Sequence, residues 1–466
     1  MARPRPISGF PEWLPSGRLV ESHVVGTLRR VFAAHGFVEI ETRAVEPLGE
    51  LLRKGETSQE VYVLRRLQDA DRQGYDSRTL GLHFDLTVPL ARYVLENAGQ
   101  LDFPFKRSQI QKVWRGERPQ EGRFREFVQA DLDVIGLAEL PFHYEVELPL
   151  IMAEALAALQ VGSFRVLVNN RKLAEGLMLG LGVEDVGAAL GWVDKVDKIG
   201  ADGLLTGLTE FGLDTARAQA VTQFAAIQAA DAAALSAAVR QLTTSLSAEG
   251  LWDANRQGAG ELLDQGLAEL TALLDAAQRR VPGTVVAAMK IVRGLDYYTG
   301  SVYETVWLEQ EDLGSVCSGG RYDSLAKQGD ITYPGVGLSI GVTRLISRIL
   351  ALGLLRPNRI SPSVVVVAVL DEGDRAASDK VAAALRARGI AAETSPTAAK
   401  LGKQIRYADR LGVPFVWFPG VEGEADQVKD IRSGDQTVAD AATWAPPPAD
   451  LQIQFTAQTD AAGAEN

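Results

Sequence analysis

The stretch RFREFVQADLDVIG, residues 123–136, carries the pattern that decides the fold. Side chains alternate between two faces along a β-strand, so the mostly apolar even positions share one face. The odd positions share the other face: Arg123, Arg125, Phe127, Gln129, Asp131 and Asp133. A half-exposed antiparallel strand with a solvated face explains this pattern, and so does a binding surface. The strand alone leaves both interpretations open.

Residues 105–115 form a second predicted strand on the N-terminal side of this stretch. The intervening segment ERPQEG, residues 117–122, combines charge with Pro and Gly, which favours a loop. Together the three segments predict a long antiparallel hairpin.

Composition bounds the class of protein. The 466 residues include 48 Lys+Arg and 60 Asp+Glu, so the net charge is −12. This charge gives no general reason to expect a nucleic-acid partner, but it does not exclude local contacts with phosphate. Cys317 is the single cysteine, so a disulfide within the chain is excluded and a structural zinc site is not expected. The most apolar run, residues 364–370, is too short to cross a bilayer, and we expect a cytosolic protein.

The composition changes along the chain. Residues 19–32 have helical periodicity and residues 37–42 alternate like a strand, a pairing typical of dimer-forming units. An alanine-rich stretch, residues 184–283, predicts a helical insertion that acts as a scaffold. After a proline-containing linker, strands and helices alternate from residue 361 onward, which predicts a small α/β domain with a mainly parallel sheet.

Three further clusters contain residue types suited to binding. VRGLDYYTG, residues 292–300, combines arginine and two tyrosines with glycine, although a turn before an aromatic core strand would look the same. SGGRYD, residues 318–323, is the second. The third, GVGLSIGVTR at residues 335–344, places glycines before a helix, where free backbone N–H groups suit phosphate. Its spacing matches neither a Walker A motif nor a dinucleotide fingerprint.

Taken together, these clusters resemble the class II aminoacyl-tRNA synthetases, and specifically the histidyl-tRNA synthetase family. Residues 17–47 resemble motif 1, residues 114–117 with the following loop and strand resemble motif 2, and residues 337–344 resemble motif 3. RGLDYY at residues 293–298 and GGRYD at residues 319–323 resemble the two histidine-specific signatures. In the C-terminal region, Lys403-Gln404, Tyr407-Ala-Asp409 and residues 428–432 are similar to the family's anticodon-binding domain.

The resemblance implies an α+β catalytic domain, in which an antiparallel sheet is flanked by helices, with a helical insertion and a C-terminal α/β anticodon-binding domain. The expected boundaries are 1–183 and 284–355 for the catalytic core, 184–283 for the insertion and 361–466 for the anticodon-binding domain with its tail. The implied activity is ATP-dependent ligation of L-histidine to tRNA(His) through histidyl-adenylate. It uses Mg²⁺ but no zinc, haem or flavin, and it implies a cytoplasmic homodimer without membrane contact.

Site residues follow from the resemblance position by position. For ATP they are Arg115 at the α-phosphate, Glu117 at the adenine edge, Arg123 and Arg344 at the outer phosphates, and Phe127 stacked on adenine. For histidine they are Asp85, Thr87, Gln129, Asp133, Arg293, Tyr297, Tyr298 and Tyr322. Arg293 and Arg115 are the implied catalytic residues, and Lys403, Gln404 and Arg406 are the implied tRNA contacts. Several family members have glutamate where Asp85 and Asp133 stand, so each carboxylate here reaches one methylene less far.

Alternatives remain for the chain and for single residues. A non-catalytic regulatory subunit of histidine biosynthesis resembles the catalytic domain, but it lacks the anticodon-binding domain and usually the RGLDYY signature. Another class II synthetase would lack both histidine signatures. Thr87 could simply cap a helix, Cys317 could be a packing residue, and Lys403 with Arg406 could be a solvated helix face.

Overall fold

The computed structural model describes residues 5–52, 60–69, 74–76, 78–292, 297–421 and 423–457. Its helices are α1 Pro15–Ala34, α2 Leu48–Leu51, α3 Thr87–Asn97, α4 His143–Ala157, α5 Arg171–Gly180, α6 Val186–Val193, α7 Val196–Glu210, α8 Thr215–Ala225, α9 Ala232–Ala248, α10 Ala259–Arg280, α11 Val342–Leu352, α12 Arg375–Ala387 and α13 Leu401–Leu411. Its strands are β1 Val38–Glu39, β2 Val45–Pro47, β3 Val63–Leu64, β4 Leu80–Leu82, β5 Phe105–Trp114, β6 Glu126–Ile135, β7 Phe164–Asn170, β8 Gln228–Ala229, β9 Val285–Ala288, β10 Ser301–Trp307, β11 Ser315–Gln328, β12 Ile331–Gly341, β13 Leu355–Pro357, β14 Val365–Val367, β15 Ala392–Thr394, β16 Phe415–Phe418, β17 Gln427–Asp430, β18 Gln436–Val438 and β19 Phe455–Ala457.

Contacts divide the chain into two compact units. The first comprises Met1–Pro11 and Val24–Arg348, and the second comprises Glu12–His23 and Ile349–Asn466. Within the described ranges, no helix combines the length and the apolar character that crossing a bilayer would require.

A sheet in the order β1-β5-β6-β12-β11-β10-β7-β9-β8 forms the centre of the first unit. Its strands are antiparallel except where β1 joins β5 and β7 joins β9. The predicted hairpin is confirmed, since β5 and β6 pair continuously from Phe105↔Ile135 to Trp114↔Glu126. The second strand begins at Glu126, so Arg123 and Arg125 lie in the loop. The strand predicted at residues 37–42 is shorter in the structure, where β1 comprises Val38–Glu39.

The two glycine-containing clusters, residues 318–323 and 335–341, lie in two long strands, β11 and β12, whereas the sequence had suggested free backbone N–H groups before the helix. β12 pairs with β6 on one side and with β11 on the other, so its backbone groups are engaged in the sheet. Its glycines provide space for side chains of the neighbouring strands. A Cβ on Gly335 would lie 2.4 Å from Tyr322 Cε2, and one on Gly337 would lie 2.1 Å from Asp133 Oδ1.

The alanine-rich stretch is helical as predicted, with α6 to α10 inside residues 186–280. Two features were not predicted. β8 adds a short strand to the edge of the main sheet by pairing with β9, and α10 packs against α5, β7 and β9. An exposed alanine-rich sequence gives no periodic signal for a strand this short.

The second unit contains a sheet in the order β15-β14-β16-β17-β18. β14 is parallel to β15 and β16, whereas β17 and β18 are antiparallel additions, so the mainly parallel expectation is wrong for half of the strand pairs. Alternate residues of the first strand pack on opposite faces: Val365 and Val367 lie in one core with α12, and Val366 lies in another with α13.

We expect Gly319→Ala to destabilise the first unit. A Cβ at Gly319 would lie 2.0 Å from the carbonyl oxygen of Gly337 and 2.8 Å from Leu338 Cα, and backbone atoms inside a sheet cannot move aside. The free energy of unfolding in urea should fall by about 1–3 kcal/mol or more. Gly191→Ala is the matched control, because Gly191 lies in α6 with nothing within 4 Å of its Cβ position. It should be neutral or raise stability by up to about 1 kcal/mol. An unchanged unfolding free energy for Gly319→Ala would contradict this packing.

Candidate active site

The polar face of β6 is buried, which excludes the solvated-face interpretation. Gln129, Asp131 and Asp133 are only 7%, 2% and 3% exposed. β6 lies in the interior of the sheet between β5 and β12. A carboxylate buried in this way requires hydrogen-bonding or charged partners.

Strand register supplies those partners. Asp133 lies opposite Arg107 on β5 and opposite Gly337 on β12, so a guanidinium lies on one side and the glycine on the other leaves room for the carboxylate. Arg107 is fully buried, and its Nη2 lies 2.7 Å from Asp133 Oδ2 and 3.9 Å from Asp131 Oδ2. One buried cation thus serves two buried carboxylates.

Tyrosines surround the same carboxylate. The hydroxyl of Tyr322 donates to Asp133 Oδ1 at 2.5 Å. The ring of Tyr297 stacks on that of Tyr322 with centroids 5.4 Å apart, and Tyr298 meets Tyr297 edge-on at 5.1 Å. Burial, and next the nearby Asp133 carboxylate, raises the pKa of Tyr322 well above its usual value. The phenol therefore remains protonated and acts as a donor.

The pKa of the Asp131 carboxyl group is raised. Burial raises the pKa of Asp131 to about 7, the nearby Arg107 charge opposes this, and the charges of Asp133 and Asp85 add to it. Asp85 thus belongs to the same electrostatic cluster. Among the described residues, two carboxylates that share Arg107 and the nearby Asp85 thus form a strongly polar site.

Asp85 and Thr87 lie at the start of α3. Thr87 is the first residue of the helix, and the side chain that binds a backbone N–H of its first turn is Asp85, whose Oδ1 accepts from Val88 N at 3.0 Å. The interpretation of Thr87 as a helix cap is therefore wrong. Leu86 occupies the N-cap position, and Asp85, two residues before the helix begins, supplies the carboxylate that accepts from its first turn.

A cavity of about 320 Å³ adjoins this cluster, a size typical of small-molecule sites. Gln129 belongs to both, since it lines the cavity and lies on the same strand as Asp133. The cavity is lined by Arg115, Glu117, Gly122, Arg123, Phe124, Phe127, Gln129, Ser315, Val316, Cys317, Ser318, Ser339, Gly341 and Arg344. The cavity thus contains five predicted ATP residues together with Gln129.

Cations and an aromatic ring meet on one side of this cavity. Arg115 is anchored through its Nε, which donates to the carbonyl of Phe84 at 2.9 Å, and its guanidinium lies 5.1 Å from the centre of the Phe127 ring. Glu117 lies 3.7 Å from Arg115 and 3.5 Å from Arg123. The glutamate keeps the two arginines oriented toward the same space.

Arg344 reaches the cavity from α11. The hydroxyl of Thr343 accepts from Val128 N at 2.8 Å, which holds the first turn of α11 against β6. Arg344 Nε donates to the carbonyl of Gly122 at 2.9 Å, and its Nη1 donates to the carbonyl of Ser315. Residues far apart in sequence thus place a third guanidinium in the cavity.

Three predicted residues lie away from this cavity, and a fourth is not described. Arg293 falls outside the described residues. Lys403 and Arg406 are exposed on α13. Gln404, between them, is 2% exposed, and its amide exchanges hydrogen bonds with the backbone N–H and carbonyl of Val369. This burial gives Gln404 a structural role, so we exclude it from the proposed tRNA contact.

Sequence reasoning did not assign Arg107, Asp131 or Ser339 to the site. Asp131 carried a signal, because it shares the odd face of β6 with Gln129 and Asp133. Ser339 lies within the motif 3 stretch, but nothing in the sequence placed it or Arg107 beside that face, because only the strand register does so. Cys317 lines the cavity, but burial raises the pKa of its thiol far above the usual range, which favours the packing interpretation.

Comparisons with known proteins agree with this geometry. A family model described as Histidyl-tRNA synthetase matches residues 9–345, and one described as Anticodon binding domain matches residues 364–440. A histidine–tRNA ligase of Bifidobacterium longum subsp. infantis is 55% identical over 463 residues, covering 96% of this chain and 98% of that protein.

Solved structures agree as well. The crystal structure of histidyl-tRNA synthetase from Nostoc sp. PCC 7120 is 34% identical with a TM-score of 0.81, over 95% of this chain and 97% of that one. A Bacillus halodurans C protein described as an ATP phosphoribosyltransferase regulatory subunit/histidyl-tRNA synthetase, 20% identical with a TM-score of 0.66 over 84% of this chain and 93% of that one, shares the fold. The chain therefore belongs to the histidyl-tRNA synthetase family, as its two histidine signatures predicted.

Proposed function

We propose that this protein ligates L-histidine to its tRNA in two steps. ATP first activates histidine as histidyl-adenylate with release of pyrophosphate, and the acyl group then passes to the terminal adenosine of the tRNA with release of AMP. The main support is the 55% identity to a histidine–tRNA ligase over nearly the whole chain. The adjacency of a cationic cavity and an acidic, phenolic cluster suits the first step.

The cavity binds ATP. The Phe127 ring stacks on the adenine. The adenine thereby displaces the Arg115 guanidinium from the Phe127 ring, and the guanidinium moves toward the α-phosphate. Arg123 and Arg344 bind the outer phosphates, and Glu117 faces the adenine edge. Arginines held in place before the reaction stabilise the charge that develops on phosphoryl oxygens, because they need no reorganisation as it forms.

Mg²⁺ fits this cavity chiefly as a partner of ATP. Glu117 is the carboxylate in the lining, and within the described ranges no three His, Cys, Asp or Glu side chains are grouped to hold a metal. Mg²⁺ commonly uses substrate phosphates, water and one or two carboxylates, which agrees with so sparse a donor set. When bound, it neutralises part of the phosphate charge.

The acidic cluster selects histidine. Asp133 accepts from one imidazole nitrogen, and the Tyr298 hydroxyl pairs with the other. Tyr322 and Tyr297 complete the wall, and Asp85, Thr87 and Gln129 bind the α-ammonium group. A pocket whose buried polar groups are satisfied only by an imidazole rejects amino acids without one. Arg293 is proposed, by resemblance to the family signature, as the catalytic arginine at the α-phosphate and the histidine carboxylate.

The second unit reads the tRNA. The match of residues 364–440 to an anticodon-binding model supports this, and Lys403 with Arg406 are the proposed contacts. We further propose a cytoplasmic homodimer assembled through residues 17–47, as the family motif implies. The regulatory-subunit alternative has less support, since the protein bearing that description is only 20% identical.

ATP–pyrophosphate exchange with each of the twenty amino acids tests this function directly. We expect exchange with histidine alone, because only an imidazole satisfies Asp133 together with the phenols. Charging of tRNA(His) should follow in the same preparation. Exchange with another amino acid, or none with histidine, would refute the assignment.

Arg123→Ala should raise the KM for ATP by roughly 5- to 10-fold while the KM for histidine stays unchanged; this is less than the full effect of losing a charge-assisted hydrogen bond, because the Arg123 side chain is half exposed. Arg118→Ala is the matched control: Arg118 is exposed in the same loop but does not line the cavity. Equal effects of the two substitutions on the KM for ATP would show that only the loop's net charge matters.

Asp133→Asn should lower kcat/KM for histidine by roughly 10- to 100-fold, because the bound imidazole loses its charged hydrogen-bond acceptor. Asp330→Asn, in the exposed turn between β11 and β12, removes the same charge outside the site and should have no effect. The thermal midpoint is measured alongside, because Asp133 also pairs with Arg107. Unchanged kinetics in a stable Asp133→Asn protein would exclude the histidine-binding role.

A further inference from the structure

A buried hydrogen-bonded relay links Gln129 to a carboxylate that none of the assigned roles uses. Gln129 Nε2 donates to the hydroxyl oxygen of Ser339 at 2.6 Å, and that hydroxyl donates to Asp131 Oδ1 at 2.5 Å. Strand register produces the arrangement, because Ser339 on β12 lies directly opposite Asp131 on β6 and Gln129 is two residues away on the same face.

The direction of this relay is determined at its inner end. An ionised carboxylate only accepts hydrogen bonds, so Ser339 must donate its one proton to Asp131. The serine oxygen is then an acceptor for Gln129, and only the Nε2 side of the amide can donate to it. The amide of Gln129 is therefore held in one of its two orientations.

The carbonyl oxygen of the Gln129 amide can accept a hydrogen bond from a ligand. Gln129 Oε1 is buried and has no hydrogen-bond partner among the described residues. A buried acceptor without a partner costs about 1–3 kcal/mol, a cost that a bound donor removes. Gln129 and Ser339 both line the cavity, so a ligand can reach this oxygen from there.

We propose that Asp131 and Ser339 are positioning residues that orient Gln129 so that its carbonyl oxygen accepts from the α-ammonium group of the amino-acid substrate. The inference rests on the proposed function and names a determinant of its substrate recognition. Asp131 acts only through Ser339, and Arg107, 3.9 Å away, favours its ionised form.

Loss of the relay should have an effect on ligand binding that differs from the effect of general damage to the pocket. If Ser339 no longer fixes the amide, Gln129 can turn its NH₂ toward the substrate and repel a cation, whereas ligands without an α-amino group are unaffected. Burial raises the pKa of Asp131 to about 7, so assays at pH 8 keep the carboxylate in its accepting form.

Ser339→Ala should raise the KM for histidine about tenfold in pyrophosphate exchange at pH 8 and leave the KM for ATP unchanged, as expected for one hydrogen bond to a charged group. Inhibition by 3-(imidazol-4-yl)propionate, which lacks the amino group, should be unchanged, whereas inhibition by histidinol, which keeps it, should weaken. Ser108→Ala is the matched control, since Ser108 is buried in the same sheet on the opposite face of β5. An unchanged KM for histidine, or equal weakening of both inhibitors, would overturn the relay.

A double-mutant cycle gives an independent test. Asp131→Ala and Ser339→Ala should each raise the KM for histidine about tenfold, and the double variant should again show about tenfold and not about 100-fold, because members of one relay act as a unit. Additive effects would overturn the proposal. If Asp131→Ala does not fold, Ser339→Ala with the two inhibitors decides alone. Failure of the wild type to exchange with histidine would refute the proposed function and the relay with it, whereas normal wild-type exchange with unaffected variants would refute the relay alone.

Discussion

The pairing of Arg107 with Asp133 and Asp131 is the constraint on which the site depends. All three side chains are almost fully buried, and none could remain charged in the centre of a sheet without the others. The pairing therefore requires β5 and β6 to keep one register, because a shift of one residue would turn every polar side chain to the apolar face. The ion cluster thus links the folding of the hairpin to the formation of the substrate pocket.

β6 and β12 contribute residues to both the proposed ATP site and the proposed histidine site. Phe127 and Gln129 line the cavity, whereas Asp133 lies further along the same strand among the tyrosines. Since successive residues on one face of a strand lie about 6–7 Å apart, the nucleotide and amino-acid ends are held at a rigid spacing. Gly337 contributes by leaving room for the Asp133 carboxylate. Function here depends on the absence of a side chain as much as on those present.

Much of the fold was predictable because its signals are local. The strand predicted at residues 123–136 is present from Glu126 to Ile135, and the predictions of a Pro- and Gly-containing loop before it and of a helical alanine-rich stretch were right. The errors arose where tertiary pairing decides. The glycines of β12 suggested backbone N–H groups free for phosphate, yet they provide room for the side chains of Tyr322 and Asp133. Gln404 was an implied tRNA contact, yet its amide completes backbone hydrogen bonds at Val369.

The sequence by itself determined the family, through motifs whose residue types and spacing are specific, and it determined which residues share the polar face of β6. Only the tertiary structure decided that this face is buried, that Arg107 neutralises it and that Ser339 directs Gln129. The physical reason is that alternation along a strand places side chains on a face, whereas strand order and register decide what lies opposite them. For β6 and β12 those two properties arise from contacts between segments about 200 residues apart, as in the bond from Gln129 to Ser339.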